Sequence, residues 1–258
     1  MLQGMVIRTL AVPLASLVLL LMGGNALATP SGLSAVEIVA KNVQAKGGLA
    51  AWRAVKTLSF AGSMDAGGKH NTQLPFIMDL QRPRKSRVEI AFENDKAIQV
   101  YDGARGWKLR PYLNRRDVEP FTPEELQAAS MEADLDGPLV DYAAKGTSVE
   151  LESTEPVEGR DTYRLKLTDK SGKARHLWID AKTFLEVKIE GTPRRMDGRM
   201  RHVEIYYRDF RSVDGLMFPH VLETTVQGIK QSHKMVVETV VVNPKLNDAL
   251  FAAPTSKT

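Results

Sequence analysis

From Leu58 to Val242 apolar residues recur mostly at every second position, the period of a strand that buries one face. Leu58, Phe60, Gly62 and Met64 alternate and end at Ala66-Gly67-Gly68, which reads as a hairpin turn. Phe76, Met78 and Leu80 share a face with Arg82, and Pro83 breaks the run. Val88, Ile90 and Phe92 resume it up to a turn at Asn94-Asp95. Ile98 to Tyr101 and Gly106 to Leu109 form two more strands joined at Asp102-Gly103, with Pro111 as the stop. In the second half the alternating sets are Tyr163, Leu165 and Leu167, then Leu177 and Ile179, then Leu185, Val187 and Ile189, then Val203, Ile205 and Tyr207. Runs from Leu216 to Gln227 and from Lys234 to Val242 complete an antiparallel meander of about eleven strands.

Three stretches break this period. Ser34-Ala-Val-Glu37 is a capping box, Val36, Val39 and Val43 follow at helical spacing, and Gly47-Gly48 ends the helix. Leu49, Trp52 and Val55 predict a second short helix. At Thr122-Pro123-Glu124-Glu125 an N-cap hydroxyl, a proline at N1 and two acids open another helix, and a further one is expected from Pro138 to Ala144 with Gly146 as its stop. Asn243 to Phe251 predicts a closing helical turn that docks Leu250 and Phe251. A long meander curls as it twists, and its concave face needs apolar filling. The helices at 34–55 and 122–144 are the available fillers, and loose filling leaves space for a lipid. The fold class expected is α+β, mainly antiparallel β, with helices covering the concave face.

The N-terminus changes the setting. Arg8, an apolar run from Leu10 to Met22 and Ala26-Leu27-Ala28 read as an export signal over 1–28, cleaved after Ala28. The run is shorter than the roughly 20 residues of a spanning helix. Residues 29–258 are then expected to be one exported domain, with no linker or repeat to divide it. Cysteine is absent, which excludes disulfides, thiolate metal sites and lipidation at a cysteine. The 258 residues carry a formal charge of +4 with acids interspersed among the bases, so nucleic acid is not an expected partner.

Residues 79–111 carry a resemblance. Arg82-Pro83 ends a strand, and Ile98-x-Val100-x-Asp102-Gly103-x-x-x-Trp107-x-x-x-Pro111 follows. This pattern resembles the LolA/LolB family of periplasmic outer-membrane lipoprotein carriers, as does the order of helix, strands, helical insertion and strands. The closing Asn-Pro-Lys-Leu-Asn-Asp-Ala-Leu-Phe251 and the entry around Trp52 are similar to a broader group of outer-membrane lipoprotein-sorting proteins. The resemblance implies an incomplete barrel with a helical lid over an apolar cavity for acyl chains. It implies a periplasmic carrier, monomeric and without a cofactor, that passes a lipoprotein or other lipid from an inner-membrane donor to an outer-membrane acceptor. It also implies that Arg82 latches the lid by hydrogen bonds to the lid backbone. The family often has aromatic residues directly after Arg-Pro that serve the cavity and docking to the transporter. Here the run is Arg84-Lys85-Ser86-Arg87, so docking and ligand class are expected to differ.

The candidate cavity wall is Phe60, Met78, Leu80, Val88, Ile90, Val100 and Trp107. Alternation describes a packed core and a ligand wall equally well. Two basic clusters, at 82–87 and at Arg194, Arg195, Arg199 and Arg201, suit either solvent or an anionic surface. The five histidines show no metal spacing, and no nucleophile elbow or phosphate loop occurs, so no catalytic residue and no metal site is expected. A non-transporting interaction or sensor module on the same fold is the alternative function; an unrecognised hydrolase is a third.

Overall fold

The computed structural model describes residues 32–65, 72–111 and 115–255. The export signal, its cleavage site and the turn at Ala66-Gly67-Gly68 lie outside the described residues. Two helices, α1 (Ala35–Ala45) and α2 (Leu49–Ala54), precede six strands. These are β1 (Thr57–Asp65), β2 (Gln73–Gln81), β3 (Lys85–Phe92), β4 (Asp95–Tyr101), β5 (Gly106–Arg110) and β6 (Arg115–Pro120). Helix α3 (Pro123–Glu132) follows, then β7 (Ser148–Val157), β8 (Arg160–Thr168), β9 (Ala174–Asp180) and β10 (Glu186–Glu190). A small hairpin, β11 (Arg194–Met196) and β12 (Arg199–Arg201), leads to β13 (Val203–Val213), β14 (Leu216–Val226), β15 (His233–Val242) and a 3-10 turn, Asp248–Phe251.

Thirteen of the strands form one sheet in the order β6-β5-β4-β3-β2-β1-β15-β14-β13-β10-β9-β8-β7, and β11–β12 pair separately. The sheet is a curved, open barrel whose free edges are β6 and β7. Both edges carry charge where a flat apolar edge would invite pairing with another chain: Arg115, Arg116 and Asp117 on β6, and Glu150, Glu152 and Glu155 on β7. The sequence pattern predicts about eleven strands. The surplus comes from β6, β7 and the short hairpin strands, which lack an apolar face strong enough to register as a period.

The capping box at Ser34 forms, and the N-cap at Thr122 proves to be a second one. Glu37 N donates to Ser34 Oγ while Ser34 N donates to Glu37, and Thr122 and Glu125 repeat the arrangement. The buried stripe of α1 is Ile38, Val39, Asn42 and Val43, and Val36 is 62% exposed. Val36 lies two positions off the stripe, so its apolar character does not place it inside. Asn42 takes a core position because its Nδ2 donates to Phe184 O at 2.8 Å. Gly47, at φ +113°, lets the end of α1 abut the β13–β14 hairpin, where a Cβ would meet Gly215 O at 2.5 Å. The stretch 138–144 is a series of turns, because Gly137 and Asp141 take positive φ (76° and 50°) and interrupt the helical path.

One core cluster unites the elements. It holds Ile38, Trp52 and Val55 from the helices, Leu135, Leu139 and Val140 from the segment after α3, and Leu58, Phe60, Leu165, Leu177 and Phe218 from the sheet. Each fully buried aliphatic of this kind contributes about 1.5–3 kcal/mol. Outside, Trp178 packs with Val157 and Val187, and Lys188 stands 4.2 Å over its ring.

The β1–β15 pair joins the two halves of the sheet, and its register shifts between Ala61 and Gly62. A Cβ on Gly62 would stand 1.9 Å from Val236 O, so this bulge accepts only glycine without backbone movement. Gly62→Ala is expected to cost about 2 kcal/mol or more and to lower the melting temperature by roughly 4–8 °C. An unchanged melting curve by scanning calorimetry would show that the joint is not tight.

Candidate functional site

The sheet order sets the geometry of the site. The chain leaves one edge at Pro120 and re-enters at the other edge at Ser148, so residues 121–147 must cross the sheet. They cross on the concave side. Lys108, which shares its face with Gln99 and Val88, reaches Glu125 of α3 through Nζ. Phe121 lies over Gly106, where a Cβ would meet its ring at 1.9 Å. Further on, Leu135, Leu139 and Val140 enter the core.

Register decides which residues face this crossing segment. Phe60 pairs with Met78 and Met78 with Val88, Leu58 pairs with Leu80, and Phe76 pairs with Ile90. Phe60, Met78, Leu80, Val88 and Ile90 therefore share the concave face. Val100 and Trp107 do not. Val100 pairs with Arg87 on one side and Trp107 on the other, so both stand on the outer face. Trp107 there borders an open hollow of about 520 Å³ with Lys85, Phe251 and Ala252. The motif joins these residues along the chain, but alternation sends them to opposite sides of the sheet.

The concave space has two parts. Toward α2 it is filled: Leu58, Phe60 and Leu80 are buried, and Phe218 meets Trp52 and Phe60 edge-on at 5.4 and 5.8 Å. Toward the β1–β2 connection the concave face is only partly covered, and this stretch is termed the trough. Met64, Met78, Val88, Ile90, Leu222 and Met235 line it and are all half-buried.

Arg82 ties the crossing segment to α2. Its Nε donates to Val55 O at 2.7 Å, its Nη2 donates to Trp52 O at 3.0 Å, and Nη2 also pairs with Asp136 at 2.5 Å. The Asp136 side chain is 2% exposed and also accepts from Lys145, which pairs in turn with Asp134 at 2.9 Å. Arg53 makes a second, exposed tie by a two-point bond to Asp141. Burial works against ionisation of Asp136, yet hydrogen bonds from Lys145 and Arg82 hold its carboxyl below the ordinary range. Asp134 moves the other way, raised by burial.

The basic run after Pro83 splits by alternation. Lys85 pairs with Asp248 at 2.9 Å, and Arg87 donates to Leu250 O at 3.0 Å. These residues hold the closing 3-10 turn against the outer face, and Phe251 is buried there. Several polar residues of the concave side escape notice in the sequence. Lys46 and Glu186 form a buried pair at 2.7 Å, and His220 Nδ1 meets Val237 O at 2.7 Å while its Nε2 has no partner. Arg175 and Tyr207 also face the concave side, in phase with Leu177 and Ile205. For Arg175 that phase is the one signal that could have found it; Tyr207 already stands in the alternating set with Ile205.

Among the described residues, no group of His, Asp or Glu could hold a metal ion, and no helix is long and apolar enough to cross a membrane. No protein-family model matches the chain, and no curated protein matches it in sequence. Solved structures do. A LolA superfamily protein from Nitrosomonas europaea is 16% identical with a TM-score of 0.57, over 86% of this chain and 98% of that one. An outer membrane lipoprotein-sorting protein domain from Vibrio parahaemolyticus is 12% identical with a TM-score of 0.54, over 84% and 95%. A DUF1329 family protein from Desulfovibrio piger is 15% identical with a TM-score of 0.56, over 84% and 97%. The fold is therefore LolA-like.

Arg82→Leu removes three bonds and takes from buried Asp136 one of its two cationic partners. Amide exchange at Gly137 and Lys145 is expected to speed up by roughly tenfold or more at pH 7, the equivalent of about 1–3 kcal/mol. In the wild type, the depressed carboxyl of Asp136 gives a contribution that is present above its unfolded pKa. That contribution is lost as pH falls through the lower folded value, so protection should fall below about pH 4. Equal exchange in variant and wild type would remove Arg82 from the account of the crossing segment.

Proposed function

We propose that this LolA-like chain is a periplasmic carrier that shields the acyl chains of a lipoprotein or other lipid on the way to the outer membrane. The observation that carries this reading is the trough from Met64 to Met235, apolar, half-open and adjoining a segment held by polar ties. A packed core would leave those side chains dry. An acyl chain laid along them would gain about 0.8 kcal/mol for each methylene buried. Arg82 is the latch in this reading: its three bonds end on α2 and Asp136, and opening them would widen the trough without unfolding the sheet. Transfer also requires the ligand to leave, so the crossing segment must open at modest cost. Polar ties serve that need better than further apolar packing. The export signal expected over 1–28 supports a location between the two membranes.

The dense packing of Trp52, Phe60 and Phe218 favours a second reading, a non-transporting interaction module on the same fold. Mass spectrometry of lipids extracted from protein purified out of the periplasm separates the two. A carrier should yield about one lipid or acylated protein per chain, and Met78→Glu should abolish it with the melting temperature retained. If neither the wild type nor Arg82→Leu retains a lipid or binds a fluorescent acyl probe, the carrier reading fails and the module stands.

A further inference from the structure

The β11–β12 hairpin stands outside the large sheet and concentrates positive charge. Arg194-Arg195-Met196-Asp197-Gly198-Arg199-Met200-Arg201 sets four arginines against one aspartate. Asp197 and Gly198 take positive φ (49° and 73°), so that acid sits in the tight turn. Register puts Arg194 directly opposite Arg201, and like charges so placed destabilise a strand pair. None of the four arginines makes a hydrogen bond or ion pair among the described residues, and Nε of Arg201 is buried without a partner. Glu132 of α3 feels the charge of Arg194, and burial moves that carboxyl toward its neutral form.

Apolar side chains share this tip. Met200 is 57% exposed, and Ile229, in the turn between β14 and β15, is 38% exposed. The hairpin and that turn are joined: Gln227 N donates to His202 O at 2.9 Å, and Arg201 Nη1 stands 2.9 Å from the place of a Cβ on Gly228. Lys230 adds an exposed cation with no bonded partner among the described residues. The tip lies at the trough end of the sheet. There β14 ends at Val226, β15 starts at His233 and β1 ends at Asp65, with Met235 and Met64 of the trough wall close behind.

We propose that the hairpin and the β14–β15 turn form a docking surface for a membrane rich in anionic phospholipid, and that docking brings the open end of the trough to the bilayer. The second clause rests on the carrier reading. An unpaired guanidinium takes two phosphate oxygens through its planar fork. Each cation close to an anionic leaflet adds attraction, which salt screens. Met200 and Ile229 then enter the headgroup region, as apolar side chains flanked by cations do. Arg195 shares one face of the hairpin with Met200, and Arg194, Arg199 and Arg201 share the other. Charge on both faces suits a surface of laterally mobile anions better than the fixed acids of a protein.

Flotation of the full mature chain with vesicles of phosphatidylcholine, with and without phosphatidylglycerol, tests this. The wild type should float with the anionic vesicles alone and come off as salt is raised. Arg194→Gln combined with Arg199→Gln should weaken binding roughly tenfold or more, and Met200→Ser severalfold, with the melting temperature retained. Lys56→Gln combined with Lys245→Gln removes the same charge from exposed positions at the opposite end of the sheet and should leave binding within about twofold. Flotation with neither vesicle, or an equal loss from the Lys56 and Lys245 pair, overturns the surface. Binding to a glutamate-rich peptide but to neither vesicle assigns the arginines to an acidic protein and overturns it as well. Uptake of a fluorescent acyl probe without vesicle binding overturns the surface and leaves the carrier. Vesicle binding by a chain that takes up no probe keeps the surface and overturns the carrier.

Discussion

The sheet never closes, and its two edges belong to strands consecutive in the chain, β6 and β7. The connection between them must span the whole opening. Much of the architecture follows from that constraint. The connection lies over the concave face because the apolar side chains there need cover, and Leu135, Leu139 and Val140 supply it. Its polar residues are held by ion pairs and hydrogen bonds, chiefly those that meet at Asp136. A buried carboxylate needs partners on every open side. Arg82 comes from the sheet and Lys145 from the crossing segment, which makes Asp136 the point where the two are joined.

The same logic orders the outer face. Alternation sends Lys85 and Arg87 outward while Val88 and Ile90 point inward. The run that departs from the family's pattern therefore has a local task, holding the 3-10 turn that buries Phe251. Lys85 and Arg87 thus add an anchor for the C-terminal turn.

Much of the fold was legible because period two and period 3.6 are strong signals in β1 to β5 and in α1. The capping box at Ser34 and the N-cap hydroxyl with its proline at Thr122 marked helix starts to the residue. The errors have physical causes. Val36 is apolar but lies off the stripe. The stretch 138–144 has helical composition, and positive φ at Asp141 breaks it. Val100 and Trp107 belong to a motif that is contiguous along the chain, and a motif carries no information on faces until the register is fixed. Arg175 went unremarked because it is charged, and Tyr207 entered only as one member of an alternating set. Their phase with Leu177 and Ile205 was visible, and pairing with the neighbouring strands was needed to show both on one side.

The central claim is that an acyl chain lies in the trough. Nuclear magnetic resonance of methyl-labelled methionine tests it directly, with a fatty acid that carries a nitroxide along its chain as the ligand. Met64, Met78 and Met235 should broaden on binding, while Met200, 57% exposed on the β11–β12 hairpin, should keep its line width. Broadening of Met200 alone, or equal slight broadening of every methionine, would place the chain outside the trough and contradict the account.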